Sequence, residues 1–211
     1  MTDVFLLNVA ATMSHSRANG PGVRAVIWVQ GCTIGCPGCY NSYTHKHKKV
    51  SLVEPREIVE WILSIEGIEG ITFSGGEPFE QAAGVLETIQ LLKSHNSDLS
   101  VFIFTGYELD ALEKASDQHV RDLVNNIDVL SSGPYISKLR SQELLWRGST
   151  NQQLSFLSSR YNEETELNKW ETESPVEEYL LQNTQLHFSG FGGPGSSILK
   201  ELKSSLHIST N

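Results

Sequence analysis

Cysteine is nearly absent from this chain. Only three occur in 211 residues, and all three fall within eight positions of one another, at Cys32, Cys36 and Cys39. An odd, clustered set does not read as a disulfide framework. No apolar run approaches the roughly 18 residues that a membrane-crossing helix needs, and no internal repeat is visible. The opening residues Met1-Thr2-Asp3-Val4-Phe5 lack a positively charged leader, so no signal peptide is expected there. Basic charge is also scarce: 16 Lys and Arg stand against 25 Asp and Glu, for a formal net charge of −9. That balance disfavours a general binder of nucleic acid or of anionic membranes, both of which want a basic face. A cytoplasmic setting is expected, in which thiols stay reduced.

What is present suits one domain with a small appendage, residues 1–160 and an extension at 161–211. Hydrophobic residues make up 39% of the chain, enough for a good core. Residues 3–10 and 23–30 read as strands, the second a nearly continuous apolar run through Val23, Val26, Ile27, Trp28 and Val29. The turn Asn19-Gly20-Pro21-Gly22 lies between them. A helix is expected over 54–66, with Ile58, Ile62 and Ile65 on one face and Pro55 in the first turn. A strand at 71–73 runs into Ser74-Gly75-Gly76-Glu77-Pro78. Then come a helix over about 80–95, a strand at 99–105 ending in Gly106-Tyr107, a helical segment through about 124, and a strand at 127–131 before Gly133-Pro134. Strands alternating with helices at this spacing predict an α/β fold with a mainly parallel sheet. The glycine and polar signals fall where strands end, the edge at which such folds build their sites. Residues 162–178 are acidic and polar and read as an exposed connector; 186–191 alternate like a strand, 192–195 read as a turn, and 196–206 as a short helix.

The cysteines are spaced C-x3-C-x2-C directly after the second strand. Three thiolates on one short loop can hold three irons of a four-iron cluster and leave the fourth open, whereas a closed structural site wants four protein ligands. An open iron is what reductive cleavage of S-adenosylmethionine needs. Two plainer readings remain: a zinc site completed by His45 or His47, or cysteines acting as small buried hydrophobes. The Ser74-Gly75-Gly76-Glu77-Pro78 turn is weak by itself. Its glycines allow close backbone approach to a ligand, and Glu77 can accept from an ammonium group. Tyr40 is either a platform for adenine or a core aromatic. Arg24 either faces a partner or a carboxylate, or is solvated. Trp146 and Arg147 either line the site's mouth or, for Trp146, pack in the core. The basic run His45-Lys46-His47-Lys48-Lys49 is either a docking patch or a solvated loop.

Taken in order, the Asn19–Arg24 turn, the Cys36-Pro37-Gly38-Cys39-Tyr40-Asn41 run, the Gly-Gly-Glu-Pro turn, Thr105-Gly106-Tyr107, Asp128-Val129-Leu130 with Gly133-Pro134-Tyr135, and Trp146–Gln152 resemble the radical S-adenosylmethionine superfamily. More narrowly, they resemble the activating enzymes of anaerobic (class III) ribonucleotide reductase. The resemblance covers about residues 1–160. It implies a partial (β/α) barrel and one 4Fe–4S cluster on Cys32, Cys36 and Cys39. It implies S-adenosylmethionine held near Gly38, Tyr40, Ser74, Gly75, Gly76, Glu77 and Thr105, with no catalytic side chain beyond the cluster ligands. The implied reaction is one-electron cleavage of the sulfonium, followed by hydrogen abstraction from a glycine of a partner enzyme. The implied partners are an anaerobic ribonucleotide reductase and a flavodoxin-type reductant. A radical enzyme acting on a small molecule or a ribosomal peptide is the alternative. This chain departs from the family in having Ser132 where an Asp is usual, and in its C-terminal segment.

Overall fold

The computed structural model describes residues 5–141, 143–173, 177–182 and 185–190. Four parallel strands form its centre: β2 (Arg24–Val29), β4 (Gly70–Gly75), β5 (Ser100–Phe104) and β6 (Val129–Ser132). Antiparallel strands flank them. On one side are β1 (Leu7–Ser16) and the short edge strand β3 (Ser51–Val53); on the other is β7 (Gln153–Phe156). The order is β3-β1-β2-β4-β5-β6-β7. The fold is mixed α/β with a mostly parallel central sheet.

Alternation along the strands divides the sheet into two faces. Ala25, Ile27, Val29, Ile71, Phe73, Val101, Ile103 and Leu130 join one large core. Helices α1 (Pro55–Leu63), α2 (Ala82–His95), α3 (Leu109–Glu113) and α4 (Gln118–Val124) cover it with Ile58, Ile62, Val85, Ile89, Leu92, Leu112 and Leu123. Glu54 opens α1 with a reciprocal cap: Glu57 accepts from the Glu54 backbone N–H at 3.0 Å, and the Glu54 side chain accepts from Glu57.

The opposite face is less apolar. Phe102, Val129 and Trp146 pack together, with Phe102 and Trp146 edge-to-face at 5.7 Å between ring centres. Met13, Val26 and Trp28 form a smaller cluster. Arg24 is fully buried on this face. Its Nε donates to Thr72 Oγ1 (2.8 Å), Nη1 to Pro21 O (2.9 Å) and Ser100 Oγ (2.8 Å), and Nη2 to Ile71 O (2.6 Å) and Ser100 O (3.0 Å). Five donors thus meet five acceptors, none of them a carboxylate. Burial pulls the guanidinium below its usual range. Arg24 is therefore neither solvated nor partner-facing; it ties the amino-terminal ends of β2, β4 and β5 together.

The structure differs from the sequence reading in several places. The first strand runs to Ser16 because pairing with β2 carries it past two register shifts, which break the alternation a reader relies on. The helical segment through 124 is two helices, and Asp117 caps the second by accepting from His119 N at 2.9 Å. The acidic connector contains helix α5 (Glu163–Glu173), whose first turn carries Glu163, Glu164 and Glu166, an arrangement the helix dipole favours. Strands β8 (Glu177–Gln182) and β9 (Gln185–Gly190) follow as a separate antiparallel pair. The turn expected at 192–195 and the helix at 196–206 lie outside the described residues.

Replacing Arg24 with Lys leaves at least two buried carbonyl or hydroxyl acceptors without donors, and should cost roughly 2–5 kcal/mol. Urea unfolding of the metal-free protein would show it as a lower midpoint with an unchanged slope.

Candidate functional site

A cavity of about 380 Å³ opens at the carboxyl ends of the four parallel strands, a size usual for small-molecule sites. Cys32, Cys36 and Cys39 line it, together with Tyr40, Ser74, Gly75, Gly76, Glu77 and Thr105. Of the ten residues expected to hold the cluster or S-adenosylmethionine, only Gly38 is off the wall. It takes a positive φ of 77° and turns the loop beside Ser137 and Tyr135. Asn19, Tyr135, Gly148 and Gln152 also line the cavity; they lie in the motifs that carry the family resemblance, but no site role was expected of them, and Trp28 and Phe104, which line it too, read only as strand residues.

The two glycine-bearing motifs touch backbone to backbone. β2 and β4 pair in register from Arg24 opposite Gly70 to Val29 opposite Gly75. The contact continues past the strand ends, with Gly76 N donating to Val29 O and Glu77 N to Gly31 O, both at 2.8 Å. A Cβ on Gly76 would lie 2.1 Å from Gly31 O. Only glycine fits there.

The cysteine loop is held from several sides. Gly31 N donates to Thr44 O (2.8 Å) and Cys32 N to His45 O (3.0 Å). Gln30 Nε2 donates to the carbonyls of Thr44 (3.1 Å) and Lys46 (2.6 Å). Glu80 Oε1 accepts from Thr33 N at 2.7 Å and from the Thr33 hydroxyl. Asn8 accepts from Val50 N and donates to Lys48 O, so the basic run is stitched to β1.

Glu77 is buried, with 1% of its surface exposed. Its Oε1 accepts from Thr105 Oγ1 (2.8 Å) and Phe79 N (3.0 Å), and its Oε2 from Gly106 N (2.8 Å). Of four lone-pair sites, one on Oε2 remains for an outside donor. Burial outweighs these bonds and pushes the carboxyl up to about 7. Tyr40 meets Tyr135 edge-on at 5.2 Å, and the Arg140 guanidinium carbon lies 5.6 Å from the Tyr40 ring centre. Burial raises the Tyr40 phenol to about 12. Trp146 is a core residue, and Arg147 is half-buried with its guanidinium lowered by burial. Ser132 is buried on β6 and is not a cavity residue; its Oγ has no hydrogen-bond partner among the described residues.

Residues 18–155 match the 4Fe-4S single cluster domain family. The chain belongs to it. Among the relatives of this cluster-domain protein is the anaerobic ribonucleoside-triphosphate reductase-activating protein of Escherichia coli (strain K12), 34% identical over 140 residues, which are 64% of this chain and 88% of that one. The protein of the same name from Enterobacteria phage T4 is 30% identical over 140 residues, 64% of this chain and 85% of that one. Among solved structures, QueE from Escherichia coli overlays 49% of this chain and 53% of its own, with a TM-score of 0.40 and 18% identity.

The donor set of this cluster domain fits an iron–sulfur group. All three thiols are free and share one cavity wall. Burial raises the Cys32 and Cys39 thiols, and Cys39 also feels Cys36 and Cys32. Yet among the described residues no three His, Cys, Asp or Glu side chains converge as ligands of a single ion. His45 lies on the cavity wall, while His47 is directed to Glu80 at 3.5 Å. Thiols spread over one wall suit a group with several metal corners better than a lone zinc.

Gly76→Ala should strain the β2–β4 junction by about 1–3 kcal/mol and lower the iron bound per chain after reconstitution; iron and sulfide assays alongside urea melts measure both. Because the folded Glu77 carboxyl lies above its ordinary value of 4.5, its stabilising contribution is full below that pH. It is lost as pH rises through about 7, a loss of roughly 3 kcal/mol. Glu77→Gln should remove that slope in the metal-free protein, at a cost of about 1–3 kcal/mol at acid pH for the unsatisfied Gly106 N–H. Denaturation series from pH 5 to pH 8 would show whether the slope disappears.

Proposed function

We propose that this chain is a radical S-adenosylmethionine oxidoreductase that installs a glycyl radical on an anaerobic ribonucleoside-triphosphate reductase. The observation that carries this reading is the seating of three free thiols against the Gly75-Gly76 turn in one cavity. Its support is the family membership and the reductase-activating relatives. Cys32, Cys36 and Cys39 would hold the 4Fe–4S cluster. When bound, the cluster and S-adenosylmethionine would supply one-electron scission of the sulfonium C–S bond and, through it, hydrogen-atom abstraction from the partner's glycine.

The chain's own tasks are placement and exclusion. The Gly75-Gly76 turn, packed against the β2 main chain, forms cavity wall where the amino-acid end of the cofactor would lie, and the free lone pair of Glu77 Oε2 is its candidate acceptor. Thr105, just past the end of β5, holds that carboxylate in place. Ser74 lies on the wall between them, and Gly38 shapes the loop. Tyr40, steadied by Tyr135 and Arg140, is the candidate surface for the adenosyl part.

In this reading the four parallel strands are a partial (β/α) barrel whose open side a macromolecular substrate closes. Residues 1–160 form the catalytic domain and 161–211 an extension. A flavodoxin-type protein would supply the electron in the cytoplasm. Neither nucleic acid nor membrane is expected as a partner; among the described residues no helix is long and apolar enough to cross a membrane.

The test is anaerobic reconstitution with S-adenosylmethionine and dithionite, with and without the reductase. The expected result is 5′-deoxyadenosine together with a glycyl radical doublet by EPR, both lost in Cys36→Ser. Deoxyadenosine without any glycyl signal would instead indicate a small-molecule or peptide substrate. A fully loaded cluster that cleaves nothing would refute the enzyme reading.

A further inference from the structure

The family match ends at residue 155, so α5 and the β8–β9 hairpin lie beyond it. The hairpin nevertheless reaches the cavity: Ser189 and Gly190 line it together with the three cysteines. Two anchors hold it there. Glu178, on β8, accepts from Ser16 Oγ at 2.5 Å and from Arg17 N, both at the end of β1. Ser189, on β9, accepts from Asn19 Nδ2 at 2.5 Å. Asn19 belongs to the cavity wall and is itself fixed, since its carbonyl accepts from Thr72 Oγ1 at 2.7 Å and its amide also donates to Ser16 Oγ at 2.7 Å.

A two-stranded hairpin is marginal by itself in water. Among the described residues β8 and β9 pair only with each other, so polar docking onto β1 and the Asn19 turn does much to hold them against the cavity. Among the described residues three hydrogen bonds, two of them to a carboxylate, dock the hairpin, and polar contacts of this kind can be exchanged for those of a competing surface. At the wall the hairpin presents a hydroxymethyl group and a bare glycine. These two residues take little space from a passing main chain.

We infer that the β8–β9 hairpin, which lies outside the matched family domain, is an access element of the radical chamber. Docked through Glu178 and Ser189, it shields the cluster; undocked, it admits the extended, glycine-bearing segment of the protein substrate. This rests on the activating-enzyme reading for the identity of the substrate, but not for the shielding.

The test uses the full-length, reconstituted protein and the double variant Glu178→Ala/Ser189→Ala, with Glu164→Ala on exposed α5 as the control. Iron extraction by bathophenanthroline disulfonate, hydrogen exchange over residues 177–190, and deoxyadenosine formed without the reductase are measured in each. The double variant should lose iron on the order of tenfold faster, exchange its hairpin amides faster, and form more deoxyadenosine without partner, while Glu164→Ala behaves as wild type. Hairpin amides that exchange equally fast in wild type and double variant would overturn the proposal. So would an undocked hairpin with unchanged iron loss. Faster iron loss in a protein that forms no deoxyadenosine would uphold the shield and defeat the activating-enzyme reading instead.

Discussion

The parallel, in-register pairing of β2 with β4 is the constraint on which the site depends. It brings Gly31, at the entrance to the cysteine loop, against Gly76, although 44 residues of chain separate them. The contact is main chain to main chain, too close for any Cβ at position 76. The cluster loop and the candidate cofactor turn therefore have one relative position, set by sheet geometry and not by adjustable side chains. The neighbouring β4–β5 pairing extends the same logic, letting Glu77 reach across to Thr105 and Gly106.

The two ends of this sheet solve different problems. At the amino-terminal end a buried guanidinium satisfies five acceptors and locks three strands. At the carboxyl end, glycines and short polar residues leave the backbone approachable and the space unfilled. A rigid base under an open chamber suits chemistry that depends on holding reactants in place. Around the loop, Gln30, Asn8 and Glu80 satisfy main-chain groups that would otherwise be loose, so the thiols sit on a braced segment.

Motif order, strand signals and the cysteine spacing are legible in the sequence, because each is local: a period of two, a glycine turn, three soft ligands on a short loop. Arg24 was not legible. Its five acceptors come from four residues spread over the 80 positions from Pro21 to Ser100, three of them outside its own turn, and nothing beside it in sequence announces burial. The length of β1 was hidden by its register shifts, and β3 and β7 by their shortness. The acid-rich connector looked like solvent-exposed chain, yet its carboxylates are well placed to open a helix.

The amino-acid sequence by itself determined the chemistry available here: three thiols with no fourth beside them, a glycine pair free of side chains, and alternating segments bound to form a parallel sheet. Those properties reside in residue types and spacing, which are short-range. Tertiary structure alone decided which groups meet. It spent most of the Glu77 carboxylate on internal donors, turned Arg24 inward, set Tyr135 and Arg140 against Tyr40, and laid a C-terminal hairpin along the chamber wall. Each of these joins residues far apart in the chain, and such contacts exist only once the sheet has fixed where its strand ends lie.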